Sequence, residues 1–157
     1  MGAGKSSIGK KLSKRLGLPF VDSDRVIVRR HGVIAEIFAT HGEQHFRGLE
    51  RDVVAESLAA GGVLSLGGGA VLHPDTRDRL TGHRVVLLTV SADAVASRIT
   101  GGGRPLLGDG GLDAWRRIAL ERDPIYRSVA SVTFDTSHRP ISTVVDDIVS
   151  WVEKGAS

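Results

Sequence analysis

Apolar residues along this chain follow two alternating rhythms, a four-residue recurrence and short continuous runs. After Lys5, the residues Ile8, Leu12 and Leu16 share one helical face, and Gly17 supplies the stop. Leu18-Pro19-Phe20-Val21 reads as a short buried strand ending at Asp22-Ser23-Asp24, where Asp24 caps a second helix that runs to about His31 and stops at Gly32. Helical periodicity resumes at Ile34 and, after Gly42, runs from Glu43 to about Ala60. Val63-Leu64-Ser65-Leu66 is a strand leading straight into Gly67-Gly68-Gly69, and a capped helix begins near Pro74. The run from Arg84 to Val90 is the clearest buried strand, and a helix follows from about Ala92 to Thr100. Beyond the glycine-rich stretch Gly101 to Gly111, the pattern predicts a helix from about Leu112 to Arg122, a strand at Val132-Thr133-Phe134 and a last helix from Ile141 to Lys154.

Alternating strands and helices imply an α/β fold with a mostly parallel sheet covered on both faces. With 157 residues, no internal repeat and no linker, the chain is expected to form a single domain over 1–157. The absence of cysteine excludes disulfides and thiolate metal sites. No apolar run approaches the roughly 20 residues of a membrane span, and the N-terminus has no signal-peptide pattern, so a cytoplasmic protein without a membrane partner is expected. Arginines supply most of the positive charge and are spread along the sequence. That distribution disfavours a nucleic-acid-binding tail and suits polyanionic small ligands, because guanidinium offers a planar donor fork. The six histidines are dispersed and form no metal-ligand pattern.

Gly2-Ala3-Gly4-Lys5-Ser6-Ser7 matches the second half of the phosphate-binding pattern G-x-x-x-x-G-K-[ST], directly before a helix. Small residues let backbone N–H groups fold around phosphate oxygens, Lys5 reaches the β- and γ-phosphates, and the Ser6 hydroxyl joins a Mg²⁺ shell. The competing explanation is a flexible glycine-rich terminus with an incidental lysine, which the well-phased helix makes the weaker one. The first glycine of the pattern and the strand that normally feeds the loop are not in the sequence, so the natural protein is expected to continue upstream of Met1.

Six features in register give the chain a specific resemblance: the phosphate loop, Asp22-Ser23-Asp24 at a strand end, Phe46-Arg47 with Glu50, Gly67-Gly68-Gly69-Ala70, Arg104-Pro105-Leu106-Leu107, and Tyr126-Arg127. Together they resemble the shikimate kinases. The resemblance implies the three-layer P-loop fold of the nucleoside monophosphate kinases, with strand order 2-3-1-4-5 and the first strand missing from this chain. It also implies a substrate-binding helical region at about 24–60 and a mobile lid at about 101–111. Asp24, Arg47, Gly68, Gly69 and Arg127 would hold shikimate, the two arginines clamping its carboxylate and Asp24 accepting a hydrogen bond from the hydroxyl to be phosphorylated. ATP would meet Gly2, Ala3, Gly4, Lys5, Ser6, Ser7, Arg104 and Arg139, with Lys5, Asp24 and Arg104 as the catalytic set. Mg²⁺ would lie at Ser6 and, through water, at Asp22. A monomer is implied.

Each residue also has a plainer explanation: Asp24 as a helix cap, Arg47 as a surface residue paired with Glu43 or Glu50, the glycine triplet as a turn, and Arg139 as a solvated loop residue. One departure is visible, because the family's adenine-stacking arginine before the lid is here Ile99, beside Arg98. The alternatives are a related gluconate or nucleoside monophosphate kinase, or a catalytically silent nucleotide-binding module.

Overall fold

The computed structural model describes residues 2–100 and 111–155, excluding the side chains of 98–100. Its elements are α1 (Lys5–Leu16), β1 (Phe20–Asp22), α2 (Ser23–His31), α3 (Ile34–Ala60), β2 (Val63–Ser65), a 3₁₀ turn (Ala70–Leu72), α4 (Pro74–Leu80), β3 (Val86–Thr89), α5 (Ala92–Thr100), α6 (Gly111–Val129), β4 (Val132–Asp135) and α7 (Ile141–Lys154). The chain divides into two compact units, one formed by Gly9–Thr81 and the other by Met1–Ile8 with Gly82–Ser157.

In the unit Gly9–Thr81, β1 and β2 pair in parallel, with Phe20 opposite Val63 and Asp22 opposite Ser65. This register brings both strands to an end at the same level, so the α2 N-terminus and the glycine triplet emerge side by side. The carboxyl ends of parallel strands are where ligands bind in such sheets. The apolar faces of α2 and α3 bury Val26, Ile27, Ile37, Phe46 and Val53 against one another. Phe38 and Phe46 meet with ring centroids 4.7 Å apart. Gly42, at φ 81°, interrupts α3 where the periodicity predicts a break.

The second unit pairs β3 with β4 in parallel from Val86 opposite Val132 to Thr89 opposite Asp135. The ladder continues past the strands, Thr136 donating through its N–H (2.9 Å) and its hydroxyl (3.0 Å) to the Thr89 carbonyl. Arg84 closes α7 by donating to the carbonyls of Val152 and Gly155 at 2.7 and 2.6 Å. Val144, Val145, Ile148 and Val149 of α7 are buried. The described strands form two separate two-stranded parallel ladders, β1 with β2 and β3 with β4.

Two expectations need correction. The cap of α2 is Asp22, which accepts a hydrogen bond from the Arg25 N–H at 3.3 Å, while Asp24 lies within the first turn. Asp22 is at once the last residue of β1 and the cap, so α2 begins at Ser23 with no intervening loop. Also, α6 does not stop at Arg122 but continues through Pro124 to Val129. Proline removes one backbone bond, to the carbonyl four residues back, yet half-buried Ile125 and Tyr126 keep the helical phase.

Candidate active site

The phosphate-binding loop turns directly into α1. Gly2 and Gly4 sit at φ 79° and 80°, a region that side-chain-bearing residues rarely adopt, and the Gly4 carbonyl accepts the first helical bond from the Ile8 N–H at 2.9 Å. A Cβ on Gly2 would lie 3.3 Å from a Val95 methyl. The loop therefore requires glycine at both positions, and it ends at a helix N-terminus, whose dipole favours an anion. Lys5 and Ser6 begin the helix and are half-buried.

In the same unit, Ala3 of the loop lines a cavity of about 250 Å³ together with Thr89, Trp115, Asp123, Tyr126 and Arg127. Arg127 projects from the last turns of α6 and donates through Nε to the Asp123 carboxylate at 2.6 Å. Arg139 stands after β4 and is paired with Asp147 of α7. Nearby, His138 contacts Asp93 at 3.2 Å, and hydrogen bonding from Ser91, ahead of its backbone bond and the His138 charge, holds the Asp93 carboxyl below its ordinary range.

The unit Gly9–Thr81 gathers the second group of residues. Fully buried Ser23 accepts the Gly67 N–H at 2.9 Å, tying the start of α2 to the glycine triplet. A Cβ on Gly67 would sit 2.5 Å from the Asp24 Oδ1 and 2.8 Å from the Glu50 Oε1, so both carboxylates face this backbone. The Arg47 guanidinium lies against Gly69, where a Cβ would collide with it. It donates to the Glu50 carboxylate at 2.6 Å and to that of Glu43 at 3.2 Å, and lies 5.2 Å from the Phe46 ring centroid. Partial burial disfavours its charge, but hydrogen bonds and charge from Glu50 and then Glu43 outweigh this and raise its pKa, so Arg47 stays protonated.

Asp24, Arg47, Gly68 and Gly69 thus stand around one strand-end cluster, with Asp22 one residue before it. The loop residues, Arg127 and Arg139 belong to the other unit. Arg104 and the glycine-rich stretch of the expected lid lie outside the described residues, apart from Gly111 at the start of α6. Three members of the cluster were absent from the expected site. Glu50 is three residues after Arg47 on one helix, a spacing that signals pairing, and its side chain is only 4% exposed. Ser23 and Gly67 gave weaker signals, because their bond joins residues 44 apart.

An α/β chain whose parallel strands end at such a cluster, and whose first helix opens on a glycine-rich lysine–serine loop, has the fold of a P-loop kinase. Comparison with known proteins makes this specific. The profile of the shikimate kinase family matches residues 1–153. The shikimate kinase of Mycobacterium avium is 49% identical over 154 residues, covering 95% of this chain and 87% of that protein. That of Mycobacterium tuberculosis is 49% identical over 157 residues, covering 97% and 89%. Among solved structures, shikimate kinase from Acinetobacter baumannii in complex with shikimate aligns with a TM-score of 0.86 at 34% identity, covering 99% of this chain and 89% of that one. The enzyme from Bacteroides thetaiotaomicron aligns with a TM-score of 0.84 at 30% identity, covering 98% and 94%. The chain belongs to the shikimate kinase family.

Proposed function

We propose that this protein transfers the γ-phosphate of ATP to the 3-hydroxyl of shikimate. The observation that carries this reading is the strand-end cluster in which Asp24 and Arg47 close on a glycine backbone. Family membership and the shikimate-bound relative support it. They do not favour gluconate or a nucleoside monophosphate as acceptor, nor a silent nucleotide-binding module.

Phosphoryl transfer needs positioning and charge stabilisation more than covalent help. On this reading Gly2 to Ser7 wrap the phosphates, and Lys5 bonds the β- and γ-oxygens as charge builds on them. Arg47 and Arg127 hold the carboxylate of shikimate, and Gly68 and Gly69 let its ring approach the backbone. Asp24 accepts the hydrogen bond of the attacking hydroxyl and fixes its line of approach. Arg104 neutralises the transferring group, and Arg139 lies on the adenine side.

Ser6 and Asp22 are half-buried oxygen donors at helix N-termini, a donor set that suits Mg²⁺, which takes one or two protein oxygens and keeps its waters and substrate phosphates. Among the described residues no group of three or more His, Cys, Asp or Glu forms a cage for a metal. Mg²⁺ held by Ser6 and, through water, by Asp22 would supply charge neutralisation at the phosphates. No helix among the described residues is long and apolar enough to cross a membrane. We take the working form to be a cytoplasmic monomer, testable by cell fractionation and light scattering.

Phosphorus–proton correlation NMR of the product tests the reaction. Coupling of the new phosphorus to the proton on carbon 3 of shikimate is expected. A phosphate on carbon 4 or 5, or none on shikimate, would overturn the assignment.

A further inference from the structure

Arg127 and Asp123 stand one helical turn apart on α6 and both line the cavity that Ala3 of the phosphate loop also lines. The contact between them is made by Nε, at 2.6 Å from the Asp123 Oδ2. Nε is the inner donor of guanidinium, and engaging it leaves the terminal Nη pair as the fork that meets a carboxylate end-on. The side chains are 58% and 43% exposed, so as a stabilising surface pair this contact is worth little. Its consequence lies in orientation. An unrestrained arginine loses much rotamer freedom on binding a ligand, and one already held by Nε has less to lose. Pro124 lies between them in sequence and removes a backbone bond from this part of α6, which leaves the side-chain pair to steady the turn.

We propose that Asp123 is a positioning residue for substrate binding: it aims the outer guanidinium fork of Arg127 into the cavity, toward the carboxylate of the acceptor. The proposal rests on the reading of Arg127 as a carboxylate ligand. Asp123 touches neither the phosphates nor the attacking hydroxyl in this scheme, so its influence falls on acceptor affinity. Its negative charge also opposes a second carboxylate nearby, so the sign of the effect decides between aiming and competition.

The test is steady-state kinetics for the acceptor, with ATP saturating, on Asp123→Ala, Asp123→Asn, Arg127→Ala and the double variant, with thermal melts of each. Asp123→Ala is expected to raise the KM for shikimate about fivefold, the effect of freeing one long side chain, and to change kcat less than about twofold. Asp123→Asn keeps an acceptor for Nε and is expected to recover most of the loss. In the Arg127→Ala background, Asp123→Ala is expected to add nothing. An unchanged or lowered KM in Asp123→Ala, whether or not its melting temperature falls, while Arg127→Ala raises KM, would overturn the aiming role and leave the Arg127 reading intact. An unchanged KM in Arg127→Ala would remove that reading and this proposal with it.

Discussion

The guanidinium of Arg47 rests on the backbone of Gly69, with no room between them for a side-chain carbon. Gly69 has φ −97° and ψ −9°, an ordinary conformation for any residue, so its lack of a side chain serves space and not backbone freedom. Glycine here allows an arginine on α3 to reach the turn that follows β2. The cluster depends on that approach.

Gly69→Ala is therefore expected to displace Arg47. The atoms it meets are the far end of a flexible side chain, so the stability loss should stay near 1 kcal/mol or below. The effect on acceptor binding should be larger, about tenfold or more in KM, since a misplaced fork loses its bidentate geometry. Denaturant melts and acceptor titrations on the same preparation check both. A large stability loss with unchanged KM would contradict the relationship.

The two carboxylates on Arg47 should differ in weight. Glu50 is 4% exposed at 2.6 Å, whereas Glu43 is 65% exposed at 3.2 Å. Removing Glu50 leaves a half-buried guanidinium short of a partner, and Glu50→Ala should destabilise the fold by about 2–4 kcal/mol. Glu43→Ala should cost about 0.5 kcal/mol or less, as exposed pairs do. Urea unfolding midpoints measure the difference, and equal losses would contradict it.

Ser23→Ala removes the acceptor for the Gly67 N–H within a fully buried contact. An orphaned buried donor costs about 1–3 kcal/mol, and the glycine triplet loses its tie to α2. Both a lowered melting temperature and faster amide exchange at Gly67 to Gly69 are expected. Ser23→Thr, which keeps the hydroxyl, separates the lost bond from altered packing.

Lys5→Ala tests the phosphate loop. Its charge is proposed to act on the transferring group, so kcat should fall by about 10²–10³-fold, in the range of other preorganised charge contacts. Lys5 is half-buried in the first turn of α1 and alanine favours helix, so the melting temperature without nucleotide should hold. Single-turnover rates at saturating ATP measure the chemical step.

Much of this arrangement was legible in the residues themselves. The period of Ile8, Leu12 and Leu16 fixed α1, and the break at Gly42 followed from glycine between two helical patterns. Local chemistry could not decide which aspartate of Asp22-Ser23-Asp24 caps α2, because both are good caps and the choice depends on how far β1 pairs with β2. The extent of α6 is not legible in the pattern because proline normally ends a helix, whereas here the 3.6-residue phase persists beyond Pro124. The roles of Ser23 and Glu50 emerge only once parallel pairing brings the ends of β1 and β2 level and α3 carries its carboxylate to the glycine turn.

The most direct test of the central claim is ADP release, followed by a coupled assay with ATP and Mg²⁺ and with shikimate, gluconate or cytidine monophosphate as acceptor. Turnover that depends on shikimate, with the KM for shikimate raised in both Arg47→Ala and Arg127→Ala, is the predicted result. A folded, ATP-binding protein that phosphorylates gluconate or cytidine monophosphate in preference to shikimate, or none of the three, would contradict it.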